Sequence, residues 1–256
     1  MTSGTSRRMT GPLWIAAMLA IVAVLSGCAS ARTGVTRDPW EKYNRSMTRF
    51  NEGVDSAVLK PVATAYVQVT PPAVRTGVSN FFGNLGDLWS AINSALQLKG
   101  QNALENFFRF NVNTFMGLGG VLDIASEMNL ERHREDFGQT LGRWGVGTGP
   151  YLVLPLLGPS TLRDAASLSI DRQGNPISYV DDYTTRYTLY GMRAVEARAN
   201  VLRAGNVLDQ AALDKYTFSR DVFLQYRRAE IYDGNPPDTE AAPPEPAARP
   251  ASAPAR

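Results

Sequence analysis

The chain has 256 residues, enough for one well-buried domain or two small ones, and its 26 basic and 24 acidic residues leave it close to neutral. This balance argues against nucleic acid as a partner and against charge alone holding the chain on acidic headgroups. A single cysteine and a single histidine exclude intrachain disulfides and clusters of the usual transition-metal ligands.

The first 27 residues have the pattern of a bacterial lipoprotein signal peptide. Arg7 and Arg8 precede an uncharged apolar run from Leu13 to Leu25, which is shorter than the roughly 20 residues that a membrane-spanning helix needs. The run ends in "LSGC", which resembles the lipobox and implies cleavage before Cys28 and attachment of lipid to its thiol and its new amino group. An unmodified free thiol is the alternative, but lipidation also accounts for Cys28 being the only cysteine.

Residues 28–37 are predicted to form a short polar tether, and the fold is expected to begin at Asp38. Loss of the signal peptide removes two arginines and no acidic residue, so the mature chain has as many basic as acidic residues. By resemblance to sorted bacterial lipoproteins, Ala29 as the second mature residue implies release to the outer membrane. Since the lipidated cysteine leaves no thiol for a disulfide, packing alone must stabilise the domain.

The stretch "DPWEKYNRSMTRFNEGVDSAV", residues 38–58, predicts the first helix. Asp38 is placed to cap the free amides, Pro39 suits the first helical position, and Glu41 completes a capping box. Apolar residues then recur at three- and four-residue steps, which is typical of an amphipathic helix with one aromatic-rich stripe. They are Trp40, Tyr43, Met47, Phe50, Val54 and Val58.

Two further helical segments follow. In residues 70–97, Thr70 is predicted to cap a helical stretch that Gly83 and Gly86 divide into two helices. Residues 103–125 are apolar over most of a helical circumference, but polar residues and glycines interrupt them too often for a single membrane-spanning helix. They predict either a buried core helix, which is the usual case, or a helix that lies in a membrane interface.

Residues 136–164 contain six glycines and three prolines, too many for a long helix. The segment does not match a nucleotide-binding loop, because Gly145, Gly147 and Gly149 follow no predicted strand, precede a proline and lack the phosphate-binding lysine. Ser160 is predicted to cap a helix that starts directly after it.

Towards the C-terminus, helices are predicted within residues 179–216 and over residues 218–231. The alanine- and proline-rich residues 233–256 cannot form a core and are predicted to be a disordered tail. No convincing run of alternating strand residues is found. The predicted fold class is therefore mainly α, with one helical domain over residues 38–232.

Patterns that carry catalysis or bind metals are missing from the sequence. His133, the single histidine, lies in the charged run "ERHRED" and is predicted to be exposed and solvated, not a tuned base. No G-x-S-x-G elbow is present, and carboxylate pairs such as Asp136 with Asp164 usually cap helices or face water. The chain is therefore predicted not to be an enzyme and to need no metal or cofactor.

Asparagine beside aromatic residues is the most unusual pattern in the chain. It occurs in "RFN" at 49–51, "NFF" at 80–82 and "NFFRFNVNTF" at 106–115. An amide side chain on an apolar face costs free energy unless it finds hydrogen-bond partners. Two explanations stay open: hydrogen bonds between helices in a core, or a membrane-lying surface on which amides face headgroups and aromatic rings face acyl chains.

Together, these segments resemble the MlaA (VacJ) family of outer-membrane lipoproteins, in order and over roughly residues 38–235. The matching runs are "DPWEKYNRSMTRFNEGVD", "VTPPAVRTGVSNFFGNL", "RFNVNTFMGLGGVLDIA", "DFGQTLGRWGVGTGPYLVLPLLGPSTLRD" and "LDKYTFSRDVFLQYR". The resemblance implies a ring-like bundle of amphipathic helices that lies in the inner leaflet of the outer membrane and encloses a polar-lined channel. It also implies a lipid-anchored protein on the periplasmic face of a Gram-negative bacterium.

In such a protein, misplaced phospholipids are expected to pass from the outer leaflet through the channel to a soluble periplasmic carrier, and trimeric porins are expected to hold the lipoprotein. No catalysis is implied. By motif match, Phe50 and Asn51 are candidates for control of the channel, and the glycine-rich segment is a candidate for part of its wall. The complete set of candidate channel and control residues is Phe50, Asn51, Asn111, Asn113, Gly145, Gly147 and Gly149.

Two other functions compete with lipid transport. A structural lipoprotein that only scaffolds porins or the envelope would have the same anchor and the same amphipathic helices. A lipid hydrolase would need Ser160 or His133 for catalysis, which the sequence patterns do not favour.

Overall fold

The computed structural model describes residues 38–202 and 214–237, and most of them are helical, as the sequence predicts. Predictions about the signal peptide, Cys28, the tether, residues 203–213 and residues 238–256 lie outside the described residues. The helices are α1 (Glu41–Val54), α2 (Lys60–Val69), α3 (Pro72–Leu96), α4 (Gly100–Phe115), α5 (Ile124–Glu127), α6 (Phe137–Arg143), α7 (Leu162–Gln173), α8 (Tyr183–Asn200) and α9 (Lys215–Ile231). A π-helical segment, Asp55–Leu59, joins α1 to α2, and a 3-10 turn, Pro176–Tyr179, precedes α8.

Short polar side chains start several of these helices. Asp136 accepts a hydrogen bond from the Gln139 amide at 2.8 Å at the start of α6. Asp182 and Asp214 likewise accept from backbone amides in the first turns of α8 and α9. Each carboxylate satisfies amides that have no partner within the helix and favours the positive end of the helix dipole.

The first helix begins later than the sequence predicts, because Asp38 does not cap it and forms other hydrogen bonds. It accepts hydrogen bonds from the Trp40 amide at 3.1 Å and from Asn44 Nδ2 at 2.9 Å. Residues 38–40 therefore form a turn ahead of α1, which starts at Glu41.

The prediction that Gly83 and Gly86 divide the second segment is wrong. Helix α3 runs unbroken through both glycines, since it packs along its whole inner face against α4. Two interior glycines cost about 1 kcal/mol each relative to alanine, which such packing can outweigh. Gly83 also leaves room for Arg132, whose Nη1 would lie 2.6 Å from an added Cβ.

Sequence patterns did not predict the two strands of the glycine-rich segment. Strands β1 (Tyr151–Leu154) and β2 (Gly158–Thr161) pair antiparallel, with Tyr151 opposite Thr161 and Leu154 opposite Gly158. Four residues per strand are too few for a convincing alternation. The cap of α7 also differs, because Thr161 Oγ1 accepts from the Asp164 amide while Ser160 is buried in β2.

In the described residues, the interior is mainly polar and many large hydrophobic side chains are exposed, which is the reverse of the usual distribution in a globular protein. Among the described residues, 20 polar or charged residues are buried against nine hydrophobic ones, while 34 large hydrophobic residues are exposed. In α4, for example, Asn106 and Arg109 are buried and Phe107 and Phe108 are exposed. Helix α4 therefore turns its polar side inward and its aromatic side outward. None of the described helices is long and apolar enough to cross a membrane.

Gly174, directly after α7, provides a test of the tight contact with α3. A Cβ added there would lie 2.1 Å from Cδ2 of Trp89, whose Nε1 donates to Asp171 at 2.8 Å. We expect Gly174→Ala to lower the free energy of unfolding by about 1–3 kcal/mol, because the indole must move. The measurement is urea unfolding in detergent.

The matched control for Gly174→Ala is Gly191→Ala. Gly191 lies within α8 with no atom within 4 Å of an added Cβ, so alanine there is expected to be neutral or slightly stabilising. Equal effects of the two substitutions would show that the contact between Gly174 and Trp89 is not tight in solution.

Candidate functional site

Asn44 of α1 binds the free edge of strand β1. Its Nδ2 donates to the Tyr151 carbonyl at 3.0 Å, and its Oδ1 accepts from the Val153 amide at 2.8 Å. The side chain is fully buried and also donates to Asp38. One amide thereby supplies both the donor and the acceptor that a neighbouring strand would provide.

Asn51 repeats the arrangement two helical turns later. Its Nδ2 donates to the Leu154 carbonyl at 2.9 Å, and its Oδ1 accepts from the Leu156 amide at 2.8 Å. Asn51 is half-buried, and the residues it holds lie where β1 ends and the hairpin turn begins. We call Asn44 and Asn51 the asparagine clamp. Their seven-residue spacing places both on one face of α1.

The base of the hairpin also packs against α9, whereas the leucines of its turn are exposed. Tyr151 and Val153 form a small hydrophobic cluster with Tyr216, and the ring centroids of Tyr151 and Tyr216 are 6.1 Å apart. At the turn, by contrast, Leu156 and Leu157 are exposed. The contact with Asn51 is therefore the attachment of the turn to α1, beside the exposed ring of Phe50.

Gly145, Gly147 and Gly149 lie in the exposed connection between α6 and β1. Gly145 closes α6 with φ 89°, and Gly149 has φ 69° with Leu162 Cβ 3.0 Å from where its own Cβ would be. Backbone conformation and close approach account for both glycines. The non-helical segment was thus predicted, and its role as a channel wall stays a prediction.

The candidate asparagines of α4 lie apart from the clamp. Asn113 is buried, donates to Asp123 at 2.9 Å and accepts from the Ala125 amide at 2.9 Å, so it orders the loop before α5. Asn111 donates to the Phe107 carbonyl of its own helix at 2.8 Å. The sequence pattern grouped these residues with Asn51, but the fold does not bring them together.

A stripe of buried polar residues runs along α3 to the residue that follows it, and its hydrogen-bond and ion-pair partners include residues of α4 as well as Glu135 and Thr140. Its members recur at three- and four-residue steps, which is a helical face made of polar side chains. They are Asn84, Asp87, Ser90, Asn93, Ser94 and Gln97. We call this set the polar stripe. The spacing of these polar residues is visible in the sequence, but the stripe was not predicted.

The family assignment follows from comparison with known proteins. The MlaA lipoprotein family model matches residues 36–230. The chain belongs to the MlaA lipoprotein family.

Named relatives and a solved structure agree with this assignment. The intermembrane phospholipid transport system lipoprotein MlaA of Escherichia coli K12 is 35% identical over 83% of this chain and 86% of its own length. The protein of the same name from Haemophilus influenzae is 32% identical over 86% and 90% of the two chains. A structure described as the structural basis for maintenance of bacterial outer membrane lipid asymmetry matches with a TM-score of 0.67 at 34% identity, covering 77% of this chain and 99% of that chain.

In this MlaA-family chain, Asp87 of the polar stripe belongs to a buried ionic network around Arg109. The guanidinium is 1% exposed and donates from Nη2 to both carboxylate oxygens of Asp123 at 2.8 Å. Its Nε lies 3.5 Å from Asp87, which Arg132 approaches to 2.8 Å from the other side. Paired charges of this kind are needed wherever ions are held away from water.

The two acids of the network have opposite pKa shifts. Burial raises the pKa of the Asp87 carboxyl, although Arg132 and Arg109 act in the other direction. Burial also opposes ionisation of Asp123, but hydrogen bonds from Ser126, Asn113 and Arg109 outweigh it and lower its pKa to about 2. Asp123 therefore stabilises the fold as a carboxylate.

Acid should remove the contribution of Asp123. A pKa lowered from 3.8 to about 2 stabilises the fold above the unfolded value, and this is lost as the pH falls from about 5 to about 2. We expect Asp123→Asn to cost about 2 kcal/mol near neutral pH and almost nothing near pH 2, measured by urea unfolding. The raised pKa of Asp87 partly offsets the acid loss in both proteins.

The control for Asp123→Asn is Asp181→Asn, an exposed residue before α8. It should change the free energy of unfolding equally little at both ends of the pH range. A cost of Asp123→Asn that is as large near pH 2 as near neutral pH would contradict the assignment.

A second ionic network joins α9 to α6 and α7. Arg227 donates to both oxygens of Asp136 at 2.6 and 2.7 Å and to Asp164 at 3.0 Å, and Glu230 lies 3.1 Å from it. The prediction that Asp136 and Asp164 cap helices or face water is only half right. Asp136 does cap α6, but the two carboxylates also share one nearly buried arginine.

The two residues that a hydrolase would need are engaged elsewhere. His133 is partly buried, with Nε2 2.6 Å from Glu105, so the prediction of an exposed, solvated side chain is wrong. Its amide also donates to Asn106, which draws the charged run towards α4. Ser160 is buried in β2 and its hydroxyl donates to the Thr161 carbonyl. Neither forms the nucleophile and base pair of an acyl-transfer site.

Proposed function

We propose that this chain is an outer-membrane lipoprotein that removes mislocalised phospholipids from the outer leaflet and passes them to a periplasmic lipid carrier. In this proposal it maintains the lipid asymmetry of the outer membrane and catalyses no reaction. Membership of the MlaA family and the names of the relatives support the general activity, which is intermembrane phospholipid transport by a lipoprotein.

The observation that carries the proposal is the reversed distribution of side chains. With 34 large hydrophobic residues exposed and 20 polar residues buried, the described surface is far more apolar than water favours. Hydrocarbon around the helices would cover this surface, and the hydrogen-bonded helices would leave few backbone groups without partners. A helical bundle that lies in one leaflet accounts for both features.

A polar interior suits the movement of a phospholipid headgroup. Transfer of a zwitterionic headgroup through hydrocarbon is costly, and a polar path across the leaflet would remove much of that cost while the acyl chains stay in lipid. The polar stripe and Arg109 supply buried polar groups of the kind that such a path needs. We propose a ring-like arrangement of the helices around this path.

The finer parts of the proposal concern the anchor and the partners. Acylation at Cys28 would hold the chain in the membrane, since each buried methylene contributes about 0.8 kcal/mol and several acyl chains make the attachment stable. A trimeric porin and a soluble periplasmic carrier are the proposed protein partners. The exposed apolar surface could contact a porin wall as well as lipid.

Deletion of the gene followed by complementation tests the proposal. Loss of the protein should raise the phospholipid that an added phospholipase can reach on intact cells and should sensitise the cells to detergent with chelator. The full chain should restore both properties. An outer leaflet that is unchanged in a clean deletion, with porin levels altered instead, would favour the scaffold and refute lipid transport.

A further inference from the structure

Three leucines have a backbone conformation that bulky residues rarely adopt. Leu98, Leu118 and Leu156 have φ of 61°, 54° and 62°, in the left-handed region that favours glycine. All three lie in turns, and their side chains are 92%, 73% and 68% exposed. An apolar side chain that is both strained at the backbone and unpacked against the protein calls for a contact outside the chain.

Comparable turns of the same chain show that the backbone does not require leucine. At Leu98 the Lys99 amide donates to Ser94 and the Leu98 amide to Ala95, the paired bonds of a Schellman helix end. Helices α5, α6 and α9 end with the same pair of bonds. The residues with positive φ at those ends are Asn129, Gly145 and Asp233.

The backbone carbonyls at the end of α3 have hydrogen-bond partners within the protein and do not need water. A helix normally leaves its last four carbonyls to water or to caps. In α3 all four of these carbonyls have partners. The Asn93 carbonyl accepts from the Gln97 amide, the Ser94 carbonyl from the Lys99 amide, and the Ala95 carbonyl from the Leu98 amide. The Leu96 carbonyl accepts from Trp144 Nε1 at 3.0 Å. This uses the only polar atom of the Trp144 side chain, which is otherwise exposed.

The charge nearest to Leu98 points away from this surface. Lys99 Nζ forms ion pairs with Glu135 at 2.8 Å and Asp233 at 2.7 Å, and its side chain is only 9% exposed. The outward-facing part of the turn is therefore Leu98, with Leu96 and Trp144 beside it. Such a surface fits hydrocarbon better than water.

In the other two turns, some of the backbone groups are also paired. After α4, the amides of Gly119 and Gly120 donate to Thr114 and Asn113 at 3.0 and 2.8 Å, which leaves Leu118 projecting. In the hairpin, Asn51 accepts from the Leu156 amide.

We propose that Leu98, Leu118 and Leu156 are insertion tips that enter the acyl-chain region of the leaflet. The inference rests on the proposed location in one leaflet and specifies which turns reach into its hydrocarbon. The occupant is lipid acyl chain, because each of the three leucines presents an exposed aliphatic side chain at a turn and packs little against the described residues. Burial in acyl chain offsets the unfavourable backbone conformation.

Depth-dependent quenching in proteoliposomes tests the proposal. Leu98→Cys, Leu118→Cys and Leu156→Cys are labelled in the full chain with a small environment-sensitive fluorophore, and spin labels sit at two depths on the phospholipid acyl chains. The lipidated Cys28 is the only native cysteine, so the unsubstituted chain measures the background label. Asn129→Cys is the matched control with positive φ at a helix end, and Asp181→Cys is a control at an exposed polar position.

We expect deep spin labels to quench the three leucine positions at least about twofold more than the controls. Equal quenching at leucine and control positions would overturn the proposal. Phe107→Cys, on the exposed face of α4, distinguishes failure of the insertion tips from failure of the proposed location in the leaflet. Quenching at position 107 without quenching at the leucines refutes the insertion tips alone, whereas no quenching at any position also refutes the location in the leaflet.

A second pair of variants guards against misfolded cysteine proteins. Leu98→Asn keeps a residue that tolerates positive φ but removes the aliphatic group, and Asn129→Gly changes the matched turn. In the Cys28→Ser chain, Leu98→Asn should weaken partition into phosphatidylethanolamine and phosphatidylglycerol vesicles about tenfold, while Asn129→Gly should not. Unchanged partition of Leu98→Asn would count against insertion.

Discussion

Replacement of Arg109 by alanine is expected to lower the free energy of unfolding by about 3–5 kcal/mol, the largest effect among the substitutions considered. The loss follows from what remains: Asp87 is 2% exposed, and Asp123 would lose both of its bonds from Nη2. A buried carboxylate without its cation must either stay charged in a poor environment or bind a proton. Urea unfolding of the purified chain in detergent measures the change.

Arg143→Ala is the matched control for Arg109→Ala. Arg143 lies in the last turn of α6 with its side chain exposed, so its replacement should change the free energy of unfolding by less than about 0.5–1 kcal/mol. A loss below about 1 kcal/mol for Arg109→Ala would mean that water reaches the network and screens its charges.

Replacement of Asn51 by alanine is expected to have the largest effect on lipid transport. It removes both bonds that hold the hairpin turn to α1, while Asn44 and the cluster around Tyr151 still hold the base. The fold should therefore survive with a loss of about 1–2 kcal/mol, because the freed groups lie near the surface. Phospholipid exposed on intact cells should rise several-fold towards the level of the gene deletion.

Two further asparagine variants separate control of the hairpin from stability. Asn111→Ala removes a bond within one helix and should leave lipid asymmetry unchanged. Asn44→Ala leaves two buried backbone groups of β1 without partners and should cost more stability than Asn51→Ala. Wild-type lipid asymmetry in Asn51→Ala, with the protein folded and at normal abundance, would exclude the clamp from control of transport.

Part of the fold can be read from local patterns. The spacing of apolar residues predicted helices where α1, α8 and α9 occur, because an environment that differs on the two sides of a helix imposes a helical period on the sequence. The resemblance of several long motifs predicted the family, which comparison confirms. The break at Gly83 was wrong because α3 packs against α4, and the cap at Ser160 was wrong because Ser160 pairs in β2 and the next residue, Thr161, caps α7.

The candidate site could be predicted only in pieces. Asn51 was singled out, but its partners lie more than 100 residues away in a hairpin too short to show a strand period. Arg109 and Asp87 were missed because a buried ion pair has no local signature: each residue alone resembles a solvated charge. Asn111 and Asn51 share a motif type but face different surroundings.

By itself, the sequence determined that the chain has amphipathic helices, a lipoprotein signal pattern and no recognisable catalytic motif, since these depend on residue type and short-range spacing. It left open which face of each helix turns inward, because a period of 3.6 residues is the same whether the apolar face meets a core or a membrane. Only the tertiary structure decided that Asn106, Asn113 and Arg109 of α4 face inward and that Phe107 and Phe108 face outward. The physical reason is that buried polar groups need partners from other segments, and the fold alone brings those segments together.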